Sequence, residues 1–465
     1  MSKRCLFVHA HEPDKAIFFS SISKFLNEKK YNSKHLVFNR VEQAVYDECG
    51  INNTIFMPKS LKNMSTDLDK FDQKKYDLND LLHYTLEFNN LNNFLYDKEE
   101  LFNNAKRYIN YLNLVHKTEP LDLIISWNNT FMFDSLAKAF ARVNNIPTLF
   151  FEAGIFRPHT ITVDSKGVNY GNSVAQDIDF YRNVNSDTVR LNNFLHQIEH
   201  PEELYKPVKY NNLSKKSRKF LLQRAYDVFN CQILKRELNL NIIYEPFTDK
   251  VKRQLSKGFN SLKRNKMKER TKLPDKFIFI PFQVHDDSQV ILNSKKINDM
   301  DSLVELVIDK VQQYNSKYEE NFHVVFKEHP ADKNNIHYEK LYNRFKELRN
   351  VMFLTTGNTN EILKKSQMVI TINSTVGIEA LLHYKPVVTL GKSYYNINEI
   401  CYPCHDHNNL HEYIHKALNS NVKKDLINKF LTYLRFHYQV EGNWRDGSFN
   451  KEQLLNKINE SMKGN

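Results

Sequence analysis

Five short apolar runs set the terms for the second half of this 465-residue chain: 277–282, 322–326, 351–354, 368–372 and 387–390. Each is rich in β-branched or aromatic residues, as strands buried on both faces are. Helices fit between them. Strand and helix alternating at such spacing build a doubly wound parallel sheet, and few other topologies survive the rules of connection. Ligands of such sheets sit at the carboxyl ends of the strands, so the loops after these runs are where chemistry is to be sought.

The run at 368–372 is followed at once by Asn373, Ser374 and Thr375. Ser374 or Thr375 caps the helix that starts there, and the free N–H groups of a helix start with two hydroxyls beside them can seat a phosphate. Glu379, a turn further on, is placed to accept hydrogen bonds from a ribose diol. A plain βαβ unit with a capped helix accounts for this stretch equally well. After the first run comes Gln283-Val284-His285-Asp286-Asp287-Ser288-Gln289. A carboxylate there is a candidate nucleophile toward a sugar's anomeric carbon. A metal set from His285, Asp286 and Asp287 is disfavoured because adjacent aspartates point apart. After the second run comes Lys327-Glu328-His329-Pro330, in which Lys327 and His329 share a face toward a phosphate and Pro330 stops the strand.

The first half opens as strand, loop, helix: a strand at 5–8, the loop from His9 through His11 to Pro13, and a helix over 14–27. That is the first unit of a Rossmann-like domain without a glycine-rich phosphate loop. His9 and His11 are either surface histidines or acceptor-side groups. Residues 76–116 read as helical, and 121–127 and 146–151 as strands flanking a helix at 130–144. The last strand runs into Glu152-Ala153-Gly154-Ile155-Phe156-Arg157-Pro158. Gly154 allows a turn that a Cβ would resist, Glu152 is a candidate acid/base, and Arg157 is a candidate clamp for a substrate carboxylate. An ordinary loop ion pair is the competing reading. Helices are expected at 214–230 and 234–240. Between 252 and 272 nine basic residues face one acid, Glu269. This is a solvated helix face or a dock for an anionic membrane surface or acidic acceptor.

Two α/β domains facing across a cleft, the nucleotide seat in the second, describe a GT-B-like architecture. The expected division is 1–273 and 274–440, with 441–465 returning to the first domain. Net charge of +12 favours anionic partners. No run approaches the ~20 apolar residues of a membrane span. The chain starts straight into a strand, so no signal peptide is expected, and five cysteines without paired spacing fit a reducing cytoplasm. Cys401 and Cys404 sit in a Cys-Tyr-Pro-Cys-His-Asp-His stretch too cramped for a zinc site and are read as loop. Nucleic acid is not an expected partner, since no recognition motif appears.

Taken jointly, residues 151–158 with 160–169, 283–289, 327–330 and 373–391 resemble the capsule polysaccharide biosynthesis family that includes the retaining β-Kdo transferases. The resemblance covers about 146–396. It implies a GT-B fold, CMP-β-Kdo as donor substrate with no resident cofactor, and a lipid or glycan acceptor. The protein would be cytoplasmic, with peripheral docking at the inner face of the inner membrane as an option. It makes Asp287 the nucleophile, Glu152 the acid/base, and His329 the partner of the CMP phosphate. Ser374 and Thr375 become the phosphate turn and Glu379 the ribose ligand, with Gln283, Gln289, Lys327, Pro330, Asn373 and Arg157 on the donor side. Departures are Ile155-Phe156 after Gly154, where the family often has an aromatic first, His285 and Asp286 at variable positions, and Asp164 where the family often carries glutamate. Sialic acid or glycerol phosphate transfer, and a non-enzymatic export or assembly role, are the alternatives.

Overall fold

A computed structural model describes residues 2–199, 218–241, 272–332 and 338–463. The basic run at 252–272 lies almost wholly outside them. Two compact units emerge, each an α/β layer structure. Among the described residues the first comprises 2–173, 218–241 and 435–463, and the second 174–199, 272–332 and 338–434.

The first unit begins with strands β1 (Lys3–Phe7), β2 (Tyr31–Val37), β3 (Thr54–Phe56), β4 (Leu123–Trp127), β5 (Thr148–Ala153) and β6 (Thr160–Asp164). β5, β4, β1, β2 and β3 lie parallel in that order, and β6 turns back antiparallel on β5. Chain order reverses between β1 and β4. Apolar side chains leave both faces of the sheet: Phe7, Ile125 and Phe151 join one cluster, Leu6, Val8 and Ile124 the other. That is the period-two signature of strands covered by helices on both sides.

The second unit contributes β7 (Phe277–Pro281), β8 (His323–Lys327), β9 (Val351–Leu354), β10 (Met368–Thr371), β11 (Val387–Thr389) and β12 (Tyr402–Pro403). All pair in parallel, ordered β12-β11-β10-β7-β8-β9. Renumbered from β7 this is 6-5-4-1-2-3, the order of a dinucleotide-type doubly wound sheet, with its switch point between β7 and β10. The chain then returns to the first unit. There β13 (Val440–Asn443) pairs antiparallel with β6, and β14 (Ser448–Phe449) pairs with β13. Two Rossmann-like units in one chain give the expected GT-B-like class.

Three expectations are revised. The units do not divide at 273/274, because helices Ile178–Arg182 and Thr188–Glu199 belong to the second unit. Tyr181 packs edge-on against Phe430 at 5.2 Å, and Phe180 against Tyr433 at 5.0 Å, which ties them to helix Lys424–Tyr433. The return begins at Arg435 rather than 441. Residues 234–240 are not helical. Glu237 is drawn onto Arg40 and the Leu238 amide donates to the Pro58 carbonyl at 3.0 Å, which pulls the segment out flat.

Candidate active site

In the second unit the switch point is closed by two amides ninety positions apart. Gln283, just past β7, donates from Nε2 to Asn373 Oδ1 at 2.9 Å, and the Asn373 backbone N–H donates to Gln283 Oε1 at 3.0 Å. Asn373 Nδ2 donates onward to the Gln289 and Lys392 carbonyls at 2.8 and 3.3 Å. Both side chains are buried. Their hydrogen-bonding groups are engaged inside the protein, so they position three loops rather than face a ligand. Gln289 likewise accepts from Asn293 at 3.0 Å.

Asp287 hangs from this clamp. Its Oδ2 accepts from Gln283 Nε2 at 3.2 Å. Its Oδ1 accepts from the Gln289 amide at 2.9 Å, capping helix Ser288–Asn293. Burial pushes the carboxyl above its usual range, and the two hydrogen bonds and nearby His329 pull it partly back. Lys327 ends β8 and is buried, which lowers its pKa, while the carboxylates of Glu379 and Glu328 oppose the shift. His329 Nδ1 accepts the Ala331 amide at 3.1 Å, shaping the turn that Pro330 begins. The neighbouring His285 is held by buried Asp332 at 3.1 Å, a contact that raises its pKa.

The turn after β10 behaves as its residue types dictate. Thr375 is the N-cap residue of helix Val376–Leu382 but stands exposed and makes no side-chain cap bond; Ser374, one residue earlier, accepts the Val376 amide on its Oγ at 3.2 Å. Tyr395 Oη donates to the Ser374 carbonyl from below. A Cβ at Gly377 would lie 2.5 Å from that hydroxyl, which explains a glycine inside this helix. Glu379 is exposed in the first turn, within electrostatic reach of Lys327. The strand-tip loops carrying Asp287, Lys327, His329, Ser374 and Glu379 thus form one neighbourhood at the carboxyl edge of β10, β7 and β8.

In the first unit a cavity of about 340 Å³ opens at the switch between β1 and β4. Glu152 lines it with His9, His11, Lys15, Trp127 and Asn128. Glu152 Oε2 accepts from Asn128 Nδ2 at 2.9 Å and Oε1 from the Ala153 amide at 2.9 Å. Two lining residues, His11 (φ 65°) and Asn128 (φ 73°), are left-handed without being glycine. Such strain is characteristically kept at functional loops. The His11 and His9 rings lie 4.1 Å apart, tilted by 37°, and His11 Nε2 lies 2.7 Å from buried Asp134, which also accepts from Ser126. Burial lowers His11 to about 3 and raises Asp134 to about 7. Beside them Glu42, pushed to about 8 by burial, accepts the Ala10 and Phe38 amides at 2.9 and 2.8 Å. Sequence reasoning missed Ser126, Asp134 and Glu42; only Ser126 interrupts an otherwise apolar element, and the two carboxylates sit on helices that carry other polar residues.

Arg157 is not among the cavity's lining residues. It is exposed and donates from Nε to the Gly154 carbonyl at 3.2 Å. Gly154 is needed for close approach: a Cβ there would lie 2.1 Å from the Thr160 carbonyl oxygen. Asp164 is a buried hub. It accepts from the Lys166, Gly167 and Ser173 amides, the Ser173 hydroxyl and the Tyr438 hydroxyl, all at 2.7–3.2 Å. Cys401 and Cys404 are buried, donate to the Tyr395 and Asp406 carbonyls, and are pushed up to about 12 by burial, as inert thiols are. No group of three or more potential metal ligands occurs among the described residues.

These features define a two-unit α/β protein with polar sites at the strand tips of each unit. The chain belongs to the capsule polysaccharide biosynthesis family, whose family model matches residues 122–444. It is 27% identical over 345 residues to the capsule polysaccharide export protein KpsS of Escherichia coli, covering 73% of this chain and 83% of that protein. It is 24% identical over 333 residues to the capsule polysaccharide modification protein LipB of Neisseria meningitidis serogroup A, covering 70% and 75%. Among solved structures it is similar to the β-Kdo 2,7 transferase of Thermosulfurimonas dismutans KpsC at 16% identity and a TM-score of 0.36, covering 79% of this chain and 90% of that one.

Proposed function

We propose that this chain is a glycosyltransferase that uses a CMP-activated sugar, transferring β-Kdo to a lipid or glycan acceptor in capsule assembly. One observation carries the reading: the Gln283–Asn373 clamp holds a partly buried carboxylate, Asp287, beside a capped Ser374-Thr375 turn, with Lys327 and His329 on the adjoining strand tip. A nucleoside monophosphate sugar needs these groups together. Cations and a helix start take the phosphate, Glu379 takes the ribose diol, and Asp287 attacks the anomeric carbon as CMP leaves. The covalent sugar then passes to an acceptor hydroxyl with retention, Glu152 moving the proton. The family membership and the resemblance of these motifs to those of the Kdo transferases support the choice of donor. The chemistry belongs on the cytoplasmic side, where nucleotide sugars are made.

The export role in the name of the KpsS relative favours a second reading, a component of export without catalysis. One measurement decides between them. Incubated with CMP-Kdo and a lysophospholipid or glycan acceptor, the protein should release CMP well above background. Asp287→Asn keeps an Asx cap for the helix and should abolish turnover. Background release by the wild type, or full turnover by the variant, sinks the transferase reading. Tight CDP-glycerol binding without a response to CMP-Kdo would move the donor to glycerol phosphate.

A further inference from the structure

Helix Arg218–Val228 and its continuation Phe229–Ile233 present an apolar face that nothing in the described residues covers. Leu222 is 72% exposed, Ile233 66% and Leu221 64%, with Val228, Phe229 and Leu234 exposed beside them. Leu222, Phe229 and Ile233 recur at i, i+7 and i+11, so they form one stripe rather than scattered contacts. Six large apolar side chains within fourteen residues make a contiguous patch of the kind that marks an interaction surface.

The polar groups of the segment are sorted by sign. Its one acid, Asp227, and Glu237 just beyond it both face inward to one arginine: Arg40 pairs with Asp227 at 2.6 Å and with Glu237 at 2.6 Å. Arg40 also lies over the Tyr226 ring at 4.5 Å, and Lys62 holds the Lys235 and Arg236 carbonyls at 2.9 and 3.0 Å. These contacts pin the back of the helix to the first unit. The exposed charges that remain on the segment are cationic: Arg224, Lys235 and Arg236. An apolar stripe edged by cations, with both acids turned away, is complementary to a lipid interface bearing negative headgroups. No helix among the described residues is long and apolar enough to cross a membrane. The chain just beyond it reaches the first-unit cavity, which Leu240 and Asn241 line together with Glu152.

We propose that residues 218–236 dock the protein flat on an anionic lipid surface, bringing the Glu152 cavity beside that surface. The docking is independent of the transferase reading and would hold if that reading failed. The full chain should co-sediment with phosphatidylcholine vesicles containing phosphatidylglycerol, less so as salt rises, and poorly with phosphatidylcholine alone. Replacing both Leu222→Glu and Phe229→Glu, exposed positions, should cut the bound fraction about tenfold or more, with an unchanged circular dichroism spectrum. A fluorophore on Phe229→Cys should shift to the blue on the anionic vesicles, which tests the same contact without added charge. Absence of wild-type binding overturns the proposal, as does an unmoved fluorophore. So does a double variant that binds like wild type while neutralising Lys263, Arg264, Lys266 and Lys268 abolishes binding. A wild-type dimer in sedimentation velocity that the two glutamates dissolve would assign the face to a second copy instead.

Discussion

Asp287 caps a helix and, in the proposed reading, is also the nucleophile; the two roles can be separated chemically. As a cap it satisfies the Gln289 amide, so truncation to alanine should cost about 1 kcal/mol of stability besides any catalytic loss. Asparagine keeps the cap acceptor and removes the nucleophile, which is why it is the decisive variant. His35 offers a test of burial alone. It is fully buried, stacked on Phe7 at 4.3 Å with Nε2 3.0 Å from Ser23, and burial lowers it to about 3. The folded pKa is depressed, so between about 6.5 and 3 the unfolded chain binds a proton that the folded chain refuses. Stability should therefore be lost as pH falls through this window, by about 2–3 kcal/mol at pH 4.5 from this residue. Urea midpoints at pH 7 and 4.5 measure the loss, and His35→Leu should flatten that part of it. An unchanged pH dependence in the variant would show that the imidazole titrates freely.

At the scale of elements, the turn below Ser374 depends on an absent side chain. Gly377→Ala places a methyl 2.5 Å from Tyr395 Oη and 2.8 Å from its ring carbon, against a ring that is itself fully buried. Overpacking of this kind costs about 1–3 kcal/mol. Because Tyr395 also holds the Ser374 carbonyl, the variant should lose CMP affinity along with stability, read by urea denaturation and calorimetry. Tyr395→Phe added to it should restore part of the stability only. CMP binding unchanged in Gly377→Ala would separate this turn from the nucleotide site we propose. Legibility in the sequence followed the same physics. The five second-half runs became β7 to β11 because strands buried on both faces are apolar throughout. β2 was missed because Tyr-Asn-Ser-Lys-His hides its apolar face, and β3 because three residues carry no period. Asp287, His329, Ser374 and Glu152 were legible as polar groups at strand tips. That Gln283 meets Asn373 was not, since a pairing across ninety positions leaves no local mark. Asp134 and Glu42 left none either, because a buried carboxylate on a helix reads like a solvated one.

The whole molecule is tied together by a chain that leaves its first unit and comes back. β13 covers the edge of β6, and helix Lys451–Lys463 lays Leu454 and Ile458 into the core that also holds Phe7, Phe25 and Phe151. Trp444 packs on Trp127 at 5.0 Å, and Tyr438 donates to the Asp164 hub. Each buried aliphatic is worth about 1.5–3 kcal/mol, and exposing the β6 edge adds unpaired backbone groups. The sum of such losses reaches the roughly 5–15 kcal/mol by which a domain is stable at all. A chain ending at residue 434 should therefore lose the first unit while the second, whose sheet core spans 278–417 and whose Tyr181–Phe430 packing is also retained, stays folded. Limited proteolysis should degrade the segments up to residue 173 and spare a fragment containing 272–434. CMP binding, which we assign to the second unit, should survive in that truncated chain although transfer does not. A truncated protein whose first unit resists protease like the full chain would show that the return is an ornament of the fold rather than part of its core.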